Sequence, residues 1–260
     1  MRSVTVRRFV GRTCLAVCAL VCAALPGRAA DLRFVTEDFP PFSFERNGQG
    51  AGPLADVVWA ACAMVGKSCS IEVLPWRRAL SLAEEGEADG IFTIVTDAPE
   101  RQAKFFVMPP LIHAEYVFFA NERTSFSYRR PADIKDRRVA AYGPSGTSLT
   151  LEDLVQQSGS ARDVELEISN LTALKKLSAD RYEGGVVLIN RDVAQYLIRT
   201  NAILNLREAG SVKPLTYSFG LSRKSVDEMT ATRFEDAVRT LLSNGKVREI
   251  LNRYDLRQSS

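Results

Sequence analysis

Residues 82–101, LAEEGEADGIFTIVTDAPER, hold a helix end, a strand and a helix start in one short stretch. Leu82 and Ala83, with Ala79 and Leu80 before them, recur at helical spacing until the acidic, glycine-bearing run that follows. Gly90 to Ile94 is an apolar run of strand length, and Pro99 opens a short helix at a position where its missing N–H costs nothing. The same alternation extends backwards. Leu32 to Thr36 reads as a strand ended by Pro40-Pro41; Leu54, Val57, Val58, Ala61 and Val65 mark a helix; Ser70 to Leu74 is extended again. Strand–helix–strand repetition predicts an α/β fold with a largely parallel core sheet.

After a polar, linker-like stretch from Asn121 to Pro131, rich in Arg and Ser, the pattern restarts. Strands are expected at 138–141, 164–168 and 185–189, with helices at 149–155, 171–177 and 193–198. A third block opens on Leu215 to Leu221, and its long helix carries Met229, Phe234, Val238, Leu241 and Leu242 on one face. Two α/β lobes with a cleft between them follow, and ligands of such sheets bind beyond the carboxyl ends of the strands.

The 260 residues are 46% hydrophobic and 25% charged, a globular balance that excludes disordered and fibrous classes. The formal charge of +3 is misleading. Arg2, Arg7, Arg8, Arg12 and Arg28 lie in the first 29 residues without an acid, and the remainder holds 29 basic against 31 acidic residues, net −2. A nucleic-acid partner is not expected.

Those first 29 residues read as a secretory signal peptide. Four arginines precede an apolar run from Cys14 to Leu25, too short to span a bilayer, and small residues allow cleavage after Ala29. General secretion fits better than the twin-arginine route, since Phe9 directly follows Arg7-Arg8, and a lipid anchor on Cys14, Cys18 or Cys22 lacks the expected preceding residue. An exported, soluble, periplasmic protein is expected. Only Cys62 and Cys69 survive such processing, and in an oxidising compartment they read as a disulfide rather than half of a metal site.

Catalytic sets are mostly missing. His113 is the only histidine and no G-x-S-x-G elbow is present, so no catalytic residue, metal or cofactor is expected. Gly143-Pro144-Ser145-Gly146-Thr147 has no lysine to make it a phosphate loop, and Asn170-Leu171-Thr172 matches a glycosylation sequon by pattern only.

Four segments in order carry a resemblance. Glu37-Asp38-Phe39-Pro40-Pro41-Phe42-Ser43-Phe44 resembles the "PPF" signature of the bacterial extracellular solute-binding proteins of family 3, the periplasmic receptors of polar amino acid ABC importers. Residues 82–101 resemble that family's segment with a "TPER"-like end, 133–147 its entry into the second lobe, and 217–254 its closing strand and helix. The Cys62–Cys69 spacing is similar to a disulfide in the branch that binds basic amino acids. The resemblance implies a monomeric two-lobe periplasmic-binding-protein fold of type II, each lobe a mostly parallel sheet flanked by helices. Lobe 1 would be residues 30–117 and 215–260 and lobe 2 residues 118–214, hinged near 115–120 and 213–216. It implies capture of a small carboxylate-bearing solute, first of all a polar or basic amino acid, for the membrane permease subunits of an ABC importer.

Carried over residue by residue, the resemblance makes Arg101 the clamp for the ligand carboxylate, a role that suits a planar guanidinium. Thr93 and Thr96 assist from the first lobe, while Thr147 and Ser148 sit where a helix N-terminus of the second lobe meets the same anion. Phe39 and Trp76 fall where the ligand side chain is sandwiched, and Glu37 where receptors for basic ligands place an acid. Two departures stand out. Asn190 occupies the place of the family's ammonium-binding carboxylate, so Asp192 or Glu183 would have to substitute, or the ligand is not a simple α-amino acid. The loop from Tyr142 to Gly146 is also about two residues longer than usual. The rival functions are an enzyme resembling the periplasmic cyclohexadienyl dehydratases, and a sensor or accessory binding module.

Overall fold

The computed structural model describes residues 32–256 together with Met1 and Gln258, so the leader read over residues 1–29 lies outside the described residues. The described chain starts with β1 (Leu32–Thr36), the hairpin β2 (Phe44–Arg46) and β3 (Gln49–Ala51), α1 (Pro53–Val65) and β4 (Cys69–Val73). It continues through α2 (Trp76–Glu85), β5 (Gly90–Val95), α3 (Pro99–Lys104), β6 (Phe105–Val107) and β7 (Ile112–Asn121). Then come β8 (Val139–Tyr142), α4 (Gly146–Ser158), β9 (Glu165–Glu167), α5 (Asn170–Ser178), β10 (Val186–Asn190) and α6 (Arg191–Thr200). The long strand β11 (Leu206–Ser222) and the helices α7 (Glu228–Ser243) and α8 (Lys246–Asn252) complete it.

The expected parallel cores are present. β4, β1 and β5 pair in parallel, as do β10, β8 and β9. Between them stand β7 and β11, antiparallel to each other and to their outer neighbours, which makes one hydrogen-bonded path β4-β1-β5-β11-β7-β10-β8-β9. The β7–β11 pairing runs from Leu206 opposite Asn121 to Tyr217 opposite Ile112, with register shifts between Glu208 and Gly210 and between Ser211 and Lys213. Gly210 is required at the first irregularity: its φ is +138°, and a Cβ there would collide with the Tyr128 carbonyl.

Helices are set by their ends. Pro53 starts α1, and Gly66, left-handed at φ 70°, stops it, its own N–H going to the Ala63 carbonyl and that of Lys67 to Cys62. Ser169 and Asp227 cap α5 and α7 by accepting backbone N–H groups three residues on. Phe34, Phe219 and Phe234 meet at ring distances of 5.9–6.4 Å and tie α7 to the sheet, while Val35, Leu82, Ile91, Ile94 and Phe105 bury the other face under α2.

Three expectations change. Residues 121–131 are not a loose linker, because Phe126 and Tyr128 are buried and pack their rings 5.9 and 4.8 Å from Phe118. Met229 does not share the buried face of α7; it is 74% exposed in the first turn, ahead of the packed residues Phe234, Val238 and Leu241. The last strand begins at Leu206, well before Leu215, because polar residues such as Arg207, Glu208 and Lys213 occupy its first half.

Cys62 and Cys69 are joined by a disulfide, linking the end of α1 to the first residue of β4. Closing so short a loop stabilises by about 2–3 kcal/mol in the chain-entropy model. Replacing both cysteines by serine is expected to lower unfolding stability by that amount in denaturant melts and leave the far-UV spectrum unchanged.

Candidate functional site

A cavity of about 500 Å³ opens where the ends of β5 and β8 meet the middle of β7 and β11. Glu37, Phe39, Trp76, Thr93, Arg101 and Thr147 all line it, so six of the nine site residues read from the sequence converge. Thr96, Ser148 and Asn190 do not line it. Thr96 donates its backbone N–H to the Thr216 carbonyl and pairs its hydroxyl with the Thr216 hydroxyl. Ser148 closes the capping box of α4, its hydroxyl accepting the Ser145 N–H at 2.9 Å while the Ser145 hydroxyl accepts the Ser148 N–H. Asn190 is 1% exposed and caps α6, its Oδ1 accepting the N–H groups of Asp192 and Val193 at 2.9 and 3.2 Å.

Arg101 projects from α3 between two partners on α2. Its Nη1 donates to Glu84 Oε1 at 3.1 Å, and its guanidinium lies 5.8 Å from the Trp76 ring. No other side-chain hydrogen bond is made by Arg101 among the described residues, so most of its planar donor fork remains available to a carboxylate. Opposite it the α4 N-terminus presents Ser145, Gly146 and Thr147 to the same cavity, a place where backbone N–H groups favour an anion.

Thr93 lies in β5 with φ at +68°, a left-handed conformation that is an outlier for a β-branched residue. It is the extra residue where the β5–β11 register shifts, between Ile94 opposite Ser218 and Phe92 opposite Phe219. Hydrogen-bonding contacts of its hydroxyl with Ser43 at 3.1 Å and Thr36 at 3.4 Å hold it there. Such a residue costs about 1–3 kcal/mol and persists where its surroundings over-determine it, commonly at a site.

Glu37 and Tyr142 join the two sides. The Tyr142 hydroxyl, at the end of β8, donates to Glu37 Oε2 at 3.2 Å just after β1. Burial pushes the Glu37 carboxyl up to about 8, with the Tyr142 hydrogen bond opposing and the nearby Asp38 charge adding to the shift. With Phe39, this pair also walls off a second space of about 290 Å³ beside the start of α5.

Sequence reasoning missed the tyrosines Tyr116, Tyr142 and Tyr217, as well as Asp97, Asp153 and Lys213, all of which line the larger cavity. Tyr116 and Tyr217 lie in β7 and β11, Tyr116 between Glu115 and Val117 and Tyr217 between Thr216 and Ser218, and aromatic residues in strands read as core.

The model of the bacterial extracellular solute-binding proteins, family 3, matches residues 32–257. The chain belongs to this family. A comparison with curated protein sequences gives no match. Among solved structures it is similar to a histidine kinase sensor domain with similarity to periplasmic binding proteins, at 20% identity and a TM-score of 0.75 over 87% of this chain and 96% of that one. It is similar to an ancestral arginine-binding protein bound to arginine, at 18% identity and a TM-score of 0.75 over 87% and 99% of the two chains. It is also similar to the arginine-, lysine-, histidine-binding protein ArtJ from the thermophilic bacterium Geobacillus stearothermophilus, at 16% identity and a TM-score of 0.74 over 89% and 97%. At these identities the likeness is one of fold: a mixed α/β, two-lobe periplasmic-binding-protein architecture.

The raised Glu37 carboxyl sets a pH dependence. Its stabilising contribution is complete below its ordinary value of 4.5 and is lost as pH rises through about 8. Ligand-free protein is expected to lose melting temperature between about pH 5 and pH 8, while Glu37→Gln is flatter over the same range. Parallel curves for the two proteins would mean that Glu37 is already ionised.

Proposed function

We propose that this chain is a periplasmic receptor that closes around a small carboxylate-bearing solute of amino-acid size, with a polar or basic far end, and delivers it to the permease subunits of an ABC importer. Arg101 and the α4 N-terminus hold the carboxylate, Phe39 and Trp76 flank the body of the solute, and Glu37 receives its far end. Lobe 1 comprises residues 30–117 and 215–260, lobe 2 residues 118–214, and closure is a hinge motion about the two crossings. The observation that carries this reading is the convergence of Arg101, Thr93, Thr147 and Glu37 on one cavity.

Even without the protonated Glu37, the acids around that cavity, Asp97, Glu100 and Asp153, outnumber the bases Arg101 and Lys213, and Arg101 is already paired with Glu84. That balance favours a solute whose carboxylate is accompanied by a cationic or hydrogen-bonding end. A second reading, a sensory binding module, is favoured by the fold similarity to a kinase sensor domain. Uptake of the labelled solute by cells lacking this chain separates the two: an importer receptor is needed for uptake, and a sensor is not.

A thermal-shift screen of amino acids, amines and small carboxylates tests the site. A bound solute at 100 times its dissociation constant stabilises by about 2.7 kcal/mol, raising the melting point by roughly 5–10 °C. Arg101→Ala should weaken that solute at least about a hundredfold, with little change in the unliganded melting point because Glu84 is partly solvated. Retained affinity would remove Arg101 from the site.

A further inference from the structure

Beyond Glu37 lies the smaller space of about 290 Å³, and it shares a wall with the larger cavity. Glu37, Phe39 and Tyr142 line both, so the 3.2 Å hydrogen bond from the Tyr142 hydroxyl to Glu37 stands in the partition between them. The smaller space is built between the two halves of the chain. Phe39 and Pro40 come from the turn after β1, which the Phe39 N–H closes on the Ser43 carbonyl at 2.8 Å. Ile168 and Leu171 line it from around the start of α5, and Val193 and Leu197 from α6, four residues apart and so on one face of that helix. The β8–β9 register pairs Tyr142 with Glu167, which brings the partition beside Ile168.

The two spaces differ in chemistry. Arg101 and Lys213 line the larger one, whereas the smaller has no base in its lining among the described residues and carries the acids Glu37 and Asp38. Most of its other lining residues are apolar, and one of them, Ile168, is 86% exposed, surface that an apolar occupant would cover. The Ser169 hydroxyl is already spent on the Thr172 N–H at 3.0 Å. An anionic end therefore belongs in the larger cavity and a neutral, apolar end in the smaller. We propose that the smaller space is the far compartment of the same binding site, so that the solute is an elongated carboxylate with an amide at the Glu37–Tyr142 partition and an apolar tail beyond it. The amide follows from the partition itself. Tyr142 supplies a donor there and Glu37 an acceptor, and a solute that parts them without pairing both leaves buried polar groups unsatisfied. An amide pairs both at once, its carbonyl accepting from Tyr142 and its N–H donating to Glu37. A neutral group also suits a carboxyl that burial keeps protonated up to about 8. This inference rests on the receptor reading above and extends it, from a solute that ends at Glu37 to one that passes it.

The test titrates the protein calorimetrically with lysine, with its Nε-acetyl, Nε-butanoyl and Nε-hexanoyl derivatives, and with the Nα-acyl isomers of the same composition. Affinity is expected to rise along the Nε series by about fourfold for each methylene that the smaller space buries. The Nα isomers should not follow, because their amide lies at the carboxylate end and not at the partition. Ile168→Asp, at an exposed position where folding is not at risk, should flatten the Nε series, and Leu171→Asp should do the same. Tyr142→Phe should weaken every Nε-acyl member about tenfold, the worth of one buried hydrogen bond, and leave the gain per methylene unchanged. A flat Nε series in wild type, an equal gain for the Nα isomers, or a gain indifferent to Ile168→Asp and Leu171→Asp overturns the far compartment. Lysine that still binds in that case leaves the receptor reading intact. If neither lysine nor any acyl derivative binds, this proposal is overturned, and the wider thermal-shift screen decides the receptor reading separately.

Discussion

The antiparallel pairing of β7 with β11 is the constraint on which the rest of the molecule depends. The two parallel cores do not pair with each other; these two strands hydrogen-bond along the whole of β7 and attach one core on each side. Because the side chains of a strand alternate between faces, the same strands that join the halves also furnish the floor of the cavity, with Tyr116 from β7 and Lys213, Leu215 and Tyr217 from β11. The irregularities in their register fall beside this floor, at Ser211/Lys213 in the β7 pairing and at Ser218/Phe219 in the β5 pairing. Bulges bend and twist a strand locally, so the ladder departs from regularity next to the cavity, where re-aimed side chains are needed.

The cavity's polar groups divide between those held by partners and those left to meet a solute. Glu84 and Trp76 hold Arg101 in place before any anion arrives, which lowers the ordering cost of binding. Thr36 and Ser43 do the same for the strained Thr93, each through its hydroxyl. Glu37 is the opposite case. Its carboxyl is buried against one tyrosine, and burial holds it protonated up to about 8. A cationic group placed there would restore its ionised form and release the proton, so solute affinity and pH are linked at this residue.

Much of this was legible in the sequence because it follows from periodicity and end signals. The alternation through residues 82–101 placed β5 between α2 and α3, and Pro53 with Gly66 bounded α1 as such residues do. The antiparallel crossing was less legible. β11 starts among Arg207, Glu208 and Lys213, and a charged strand half carries little of the apolar signal used to find strands. Residue types at the site were readable, but their directions were not. Ser148 and Asn190, expected at the ligand, both spend their side chains on helix caps, a use decided by three-residue backbone geometry that a single sequence does not distinguish from ligand contact. Glu84, the partner of Arg101, stands one helical turn beyond Leu80 in an acidic run that reads as solvated surface. Its role became visible only once α2 and α3 were set side by side.

The central claim is that the two halves close around a solute held between α3 and α4. Spin labels on Arg78 of α2 and Gln157 of α4, both exposed and on opposite halves, report this directly by double electron–electron resonance. The account predicts that the solute found by screening narrows the distance distribution and shifts it to shorter values. A distribution that does not change on saturation would contradict closure and, with it, the receptor function.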